Sequence, residues 1–125
     1  MTAWLQADYG REEELVPAAG DAGAAEWLGV GGWVTADLTP TLGLALRGDL
    51  VDDRAGVRSN GFLFPAFAEG PGTRHRFGSA TVTLNVRSWA NVLVRPELRW
   101  DRSNLPVFGA RKDQVTGAFS IAYLY

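Results

Sequence analysis

The chain has 125 residues, 46% hydrophobic and 21% charged, which fits a single domain over residues 1–125 and excludes a disordered chain. It contains no cysteine, which excludes a disulfide scaffold and a thiolate metal site. Its formal net charge of −2 gives no indication of a nucleic-acid surface.

The first two predicted strands are separated by a predicted loop. Residues 2–10 alternate between an apolar row and a more polar row, which predicts a strand. Residues 11–25 contain three consecutive glutamates followed by Pro and Gly residues, which predicts a long, solvated loop. Residues 26–37 predict the second strand, and we expect its row without polar residues to face lipid: Leu28, Val30, Gly32, Val34 and Ala36.

The third strand is predicted over residues 42–52, after a short turn at residues 38–41. One of its rows is leucine-rich, whereas the other carries Arg47 and Asp49. Successive side chains in a strand point to opposite faces, so these two charged residues share a face. Residues 53–76 predict a second long loop, in which the apolar segment 62–67 could fold inward or extend a hairpin; the pattern fits both.

The last three strands follow the same pattern. Residues 77–87 predict the fourth strand, and residues 88–91 predict a short turn. In the fifth strand, over residues 92–101, one row is a ladder of alternating charge: Arg95, Glu97, Arg99 and Asp101. A third long loop is predicted over residues 102–112. Residues 114–125 predict a final strand with one large, aromatic row and one small or polar row.

The connections therefore run long, short, long, short, long, which is typical of a membrane barrel with short turns on one side and longer loops on the other. Each strand has about 9–11 residues, the length that crosses a bilayer at a tilt. The sequence predicts an all-β, antiparallel up-and-down transmembrane β-barrel with about six strands, and Tyr123 and Tyr125 in its inner aromatic girdle. In the alternative, a soluble β-sandwich, the apolar rows would face inward and the charge ladders outward.

Two segments, residues 44–58 and 92–103, resemble the C-terminal hairpins of the OmpL-like β-barrel porins of Gram-negative outer membranes. The shared features are an arginine–acid pair, an Asp-x-x-Gly turn and an Arg-Pro-Glu-x-Arg strand. Here they correspond to Arg47 with Asp49, Asp53 with Gly56, and Arg95-Pro96-Glu97 with Arg99. The resemblance covers roughly residues 28–125.

This resemblance implies an outer-membrane pore for passive diffusion of small hydrophilic solutes. Family members are longer, so we expect the chain to be the C-terminal part of a larger barrel. Residues 1–6 lack a signal-peptide pattern, which indicates a mature form or a fragment. The expected partners are outer-membrane lipid, small solutes or ions, the barrel-assembly machinery through the last strand, and further copies of the chain in a homo-oligomer. No nucleic acid is expected.

The candidate pore-lining residues are Arg47, Asp49, Arg95, Glu97 and Arg99. Rings of charge select solutes by sign and size, but the same residues could instead form cross-strand salt bridges that brace the wall. The second functional hypothesis is therefore a non-conducting structural or binding β-barrel or β-sandwich.

The sequence shows no catalytic constellation. We expect the single histidine, His75, to be a surface residue because it lies between arginines in a predicted loop. The prediction is a non-enzyme with no cofactor and no metal.

Overall fold

The chain forms one six-stranded antiparallel sheet in which every strand pairs with its neighbours in sequence. The computed structural model describes residues 1–16, 23–58 and 73–123. The strands are β1 (Thr2–Val16), β2 (Gly23–Thr39), β3 (Leu42–Asp53), β4 (His75–Trp89), β5 (Val92–Ser103) and β6 (Asp113–Tyr123). The predicted all-β, up-and-down architecture is confirmed.

The predicted loop over residues 11–25 is wrong for most of its length. β1 continues to Val16 and β2 begins at Gly23, so the connection between them is short. Arg11 pairs with Glu26 and Glu12 with Ala25 in the ladder. The backbone hydrogen bonds of the antiparallel ladder thus continue past the apolar rows and hold charged residues within the strands. β4 is also longer than predicted at both ends.

The two short turns and the longer connections after β3 and β5 are confirmed, whereas the first connection, expected to be long, spans only residues 17–22. The chain turns through two residues between β2 and β3 and again between β4 and β5. At the first turn, the Thr39 hydroxyl accepts a hydrogen bond from the Leu42 amide at 3.0 Å. At the second, Asn91 adopts a positive φ of 62°, as asparagine tolerates in tight turns. The connections after β3 and β5 leave from the opposite end of the sheet, which we call the loop end.

The register places all apolar rows on one face and all polar rows on the other. Leu46 lies between Val34 on β2 and Val82 on β4, and this row continues to Leu98 on β5. The adjacent row runs through Trp33, Arg47, Thr81, Arg99 and Thr116. We call the side that carries Leu46 the apolar face and the side that carries Arg47 the polar face. The β2 row expected to face lipid lies on the apolar face.

The polar face is the more buried of the two. Ser79, Thr81 and Thr83 are at most 8% exposed, whereas Leu98 and Phe119 are 58% and 65% exposed. Only Ala25 and Val107 form a buried hydrophobic set among the described residues. A soluble sandwich would need the reverse, because burial of apolar surface is the main force that stabilises a water-soluble fold. The distribution instead matches a sheet whose apolar face contacts lipid.

On β3, the row on the apolar face runs from Leu42 to Leu50 without a charged residue and is bounded at the loop end by Asp52. At about 3.4 Å per residue, these nine residues extend about 30 Å along the strand. With a tilt of about 40°, they cover about 23 Å along a barrel axis, close to the apolar band of about 25 Å in transmembrane barrels. The apolar row of β3 is therefore long enough to cross the hydrocarbon layer of a bilayer.

The sheet is not closed. Within the described residues, β1 and β6 are edge strands, and no ladder joins them. Open edges expose unpaired backbone groups, which a bilayer does not tolerate. The sheet is therefore consistent with part of a barrel, in which both edges pair with further strands.

Charge on the apolar face should be far more destabilising than charge on the polar face. We expect Leu98→Arg to lower the free energy of unfolding in lipid vesicles by about 2–4 kcal/mol, as for cations at the bilayer midplane. The control is Ala118→Arg, on the polar face opposite Glu97, which should change it little. Urea titration followed by tryptophan fluorescence measures both, and equal losses would contradict the assignment of faces.

Candidate functional site

All five candidate residues lie on the polar face of two alternate strands. Arg47 and Asp49 are on β3, and Arg95, Glu97 and Arg99 are on β5. Between them, β4 contributes a row of small hydroxyl side chains: Ser79, Thr81 and Thr83. The structure thus brings the candidates onto one charged surface, and their role in lining a pore remains a prediction.

The charged residues form two equivalent Arg-x-Asp units. On β3, Arg47 donates to both carboxylate oxygens of Asp49, from Nε at 2.8 Å and from a terminal nitrogen at 3.2 Å. On β5, Arg99 Nε donates to Asp101 at 2.8 Å. Both pairs run along a strand rather than across it, so they are not the cross-strand salt bridges of the alternative hypothesis. Since β3 and β5 run in the same direction, each arginine lies one row nearer the turns than its aspartate.

Neutral side chains on neighbouring strands hold both carboxylates in place. The Ser79 hydroxyl donates to Asp49 at 3.2 Å, and the Gln114 amide donates to Asp101 at 3.3 Å. Two rows nearer the turns, the Thr83 hydroxyl donates to Glu97 at 2.8 Å. These cross-strand hydrogen bonds satisfy acceptors that would otherwise be costly to bury.

The two members of each unit differ in exposure. The side chains of Arg47 and Arg99 are 59% and 42% exposed, whereas those of Asp49 and Asp101 are 29% and 5% exposed. The carboxylates therefore lie against the wall, and the guanidinium groups project from it. Exposed Arg95 adds a further cation and makes no ion pair with any described residue.

A glycine opposite Asp49 makes room for its carboxylate. Gly31 faces Asp49 across the β2–β3 ladder, and a Cβ atom at Gly31 would lie 2.5 Å from Asp49 Oδ1. Beside it, Trp4 and Trp33 stack with ring centroids 4.4 Å apart. On β1 and β2, the polar face thus carries aromatic rings and glycine, whereas on β4 it carries hydroxyl groups.

Sequence reasoning left Asp101 out of the candidate set, although it is the most buried acid of the two units. It lies two residues after Arg99, as Asp49 lies two residues after Arg47. That repeated spacing was the signal that could have identified it.

The prediction that His75 is a surface residue is wrong. His75 begins β4, opposite Asp53, and is 2% exposed. Its Nε2 atom lies 2.7 Å from the Ser103 hydroxyl, which also accepts a hydrogen bond from the Leu105 amide at 3.0 Å. Ser103 is 3% exposed and Asp53 is 1% exposed. A substrate could not reach this serine, so we interpret the group as a structural network.

The first residues after β3 fold over the polar face at the loop end. Gly56 has a φ of 66°, a conformation that glycine adopts without strain, and this turn brings the Arg58 amide within 2.8 Å of Asp53 Oδ2. The Arg58 guanidinium then lies 4.1 Å from the centroid of the Trp27 ring and 3.5 Å from Glu12. These contacts place the Arg58 side chain over the polar face at the loop end. The apolar segment 62–67 lies outside the described residues.

Other classes of site have little support in the described part of the chain. No three His, Asp or Glu side chains there gather closely enough to hold a metal ion. Within the same residues, no helix has the length and hydropathy needed to cross a membrane.

The buried network at the loop end should contribute measurably to stability. We expect Ser103→Ala to lower the free energy of unfolding by about 1–3 kcal/mol, because it removes the partner of two hydrogen-bonding groups, His75 Nε2 and the Leu105 amide. Denaturant titration in detergent measures this change. The matched control is Ser120→Ala, at an exposed position on the polar face of β6, which should change it by less than about 0.5 kcal/mol. Equal effects would show that the network adds no stability.

Comparison with protein families gives a match that covers nearly the whole chain. The model of the family described as "Putative beta-barrel porin-2, OmpL-like" matches residues 1–124. Comparisons with curated proteins and with solved structures give no significant match. The family match agrees with the up-and-down sheet, the exposed apolar face and the charged polar face described above. The chain therefore belongs to the OmpL-like β-barrel porin family.

Proposed function

We propose that the chain forms part of the wall of an outer-membrane pore through which small hydrophilic solutes and ions diffuse passively. The observation that carries this proposal is the distribution of polarity over the two faces of the sheet, which is the reverse of that in a water-soluble fold. Large apolar side chains are exposed on one face, whereas polar and charged side chains line the other, more enclosed face. That arrangement suits lipid outside and water inside.

The polar face has the chemistry of an aqueous conduit. Hydroxyl groups and paired charges hydrogen-bond water without binding any one solute tightly, which permits both binding and release. Arginine stays protonated throughout the physiological pH range. Arg47, Arg95 and Arg99 supply the positive charge of this face.

The projecting guanidinium groups favour anions. In each Arg-x-Asp unit, the carboxylate is the less exposed partner. The guanidinium group therefore lies closer than the carboxylate to a solute that passes along the polar face. Rings of arginine or lysine are typical of pores that prefer anions. We therefore propose a modest preference for anions or for solutes with acidic groups.

The proposed location is the outer membrane of a Gram-negative bacterium, for which the family membership is the support. In that location the apolar face contacts lipid. The last strand, with its exposed Phe119, Ile121 and Tyr123, is the proposed signal for the barrel-assembly machinery. Tyr125, the other expected girdle residue, lies outside the described residues. Association with further copies of the chain also remains a proposal.

A second candidate function is a non-conducting barrel with a structural or binding role. The observation that favours it is the group of side chains over the polar face at the loop end, where Arg58 bridges Trp27 and Glu12. In a narrow barrel, such contacts could block the path of a solute.

Single-channel recording in planar bilayers distinguishes the two functions. We expect the protein to give discrete, salt-dependent conductance steps once both edges of the sheet are paired in a closed barrel. Folded, membrane-inserted protein that never conducts would contradict the pore and favour the non-conducting barrel.

The ion selectivity of the pore should depend on the projecting arginines. We expect Arg47→Gln and Arg99→Gln to shift the reversal potential in a salt gradient towards cation preference, because each removes a cation and leaves its aspartate unneutralised. The control is Arg11→Gln, which removes an exposed charge near the loop end of the apolar face. An equal shift in the control would show that surface charge, rather than the polar face, sets the selectivity.

A further inference from the structure

The apolar face ends in basic side chains at the loop end of β4 and β5. In the last apolar row, Leu50 pairs with Gly78 and Gly78 with Arg102. One row further towards the loops, Asp52 pairs with Arg76. Arg76 and Arg102 are both exposed and lie where the strands leave the apolar band. This level corresponds to the boundary between hydrocarbon and water.

A depression in the surface lies between these arginines. Its lining includes Arg76, Arg102 and Lys112 together with the apolar side chains of Leu50 and Trp100. Gly78 leaves the space between Leu50 and Arg102 free of a side chain. A Cβ atom at Gly78 would lie 3.5 Å from Leu50 Cδ1, which is an ordinary contact, so the position accepts a side chain without backbone strain.

The depression has an excess of positive charge, because its lining holds three basic residues and one acid, Asp49, whose carboxylate binds Arg47 on the polar face. Arg102 and Lys112 form no ion pair with any described residue, although Asp113 is opposite Arg102 in the ladder. Arg76 approaches Asp52 only to 3.5 Å. Asp52 is already engaged by Arg74, whose Nε donates to it at 2.8 Å. This hydrogen bond raises the pKa of Arg74 above its ordinary value. The carboxylate of Asp52 is thus largely neutralised without Arg76.

We propose that this depression binds the phosphate group of an anionic acyl lipid. Arg76 and Arg102 hydrogen-bond the phosphate oxygens, since guanidinium groups match phosphate geometry, and Lys112 adds a third cation. The acyl chain lies over Leu50 and Trp100, in line with the apolar band. The half-apolar lining and its place at the boundary favour a lipid over a free phosphate ion. The inference rests on the proposed function, in which the apolar face contacts lipid.

Quenching of Trp100 by brominated lipids tests the site. The folded protein in detergent is titrated with dibromo-acyl phosphatidic acid or with dibromo-acyl phosphatidylcholine of the same chain length. The fluorescence of the Trp100→Phe variant is subtracted to isolate the signal of Trp100. We expect phosphatidic acid to quench at a concentration about tenfold lower, equivalent to about 1.4 kcal/mol, and we expect high salt to reduce this preference.

Variants of the depression should remove the preference. Arg102→Gln and Lys112→Gln should each reduce it severalfold, and Gly78→Leu should abolish it by filling the space. The matched control is Gly48→Leu, at a glycine on the apolar face of β3 where the nearest atom to an added Cβ is 3.9 Å away; it should retain the preference. Heat-modifiable migration on a gel verifies that each variant is folded. Lys112 lies outside the strands, so its variant tests the site even where a strand variant fails to fold.

The outcomes separate this proposal from the proposed function. Equal quenching by both lipids, or an unchanged preference in Arg102→Gln and Lys112→Gln, would overturn the phosphate site and leave the pore unaffected. Competition by inorganic phosphate as strong as that by phosphatidic acid would assign the site to free phosphate instead. No quenching of Trp100 by either lipid would show that the apolar face does not contact acyl chains, and would overturn both proposals.

Discussion

The antiparallel ladder is the constraint on which the rest of the structure depends. Because side chains alternate along every strand, a register shift of one residue between two strands would place charged side chains on the apolar face and leucines on the polar face. From β1 to β6, the observed register instead aligns apolar rows with apolar rows. The backbone pairing therefore creates two surfaces of opposite polarity from a single layer of structure.

Each surface then meets a different physical requirement. On the polar face, buried acceptors need donors, and the hydroxyl groups of β4 lie between the acids of β3 and β5 to supply them. The two Arg-x-Asp units neutralise charge locally and still present guanidinium groups to solvent. On the apolar face, nothing within the described residues covers the leucines and aromatic rings, so their stability requires an apolar environment such as lipid.

The two ends of the sheet also differ. At the turn end, two-residue connections join strands, and the apolar rows reach the turns. At the loop end, the strands extend beyond the apolar band and carry charge on both faces. There the His75–Ser103 network and the Arg58–Trp27 contact order the polar face, whereas Arg76 and Arg102 mark the boundary of the apolar face. The contacts at the loop end are thus the ones that the alternation of polar and apolar side chains does not explain.

The sequence by itself determined the strand number, the two rows of each strand and the grouping of Arg47, Asp49, Arg95, Glu97 and Arg99, because alternation with a period of two is a local property. It failed at residues 11–25, where charged side chains resemble a loop although the backbone remains paired, and at His75, whose flanking arginines resemble a surface. Only the tertiary structure decided the burial of His75, the cross-strand hydrogen bonds to Asp49 and Asp101, and the depression at Gly78. Each of these depends on which residues the register places opposite one another, and register is a relation between strands distant in sequence.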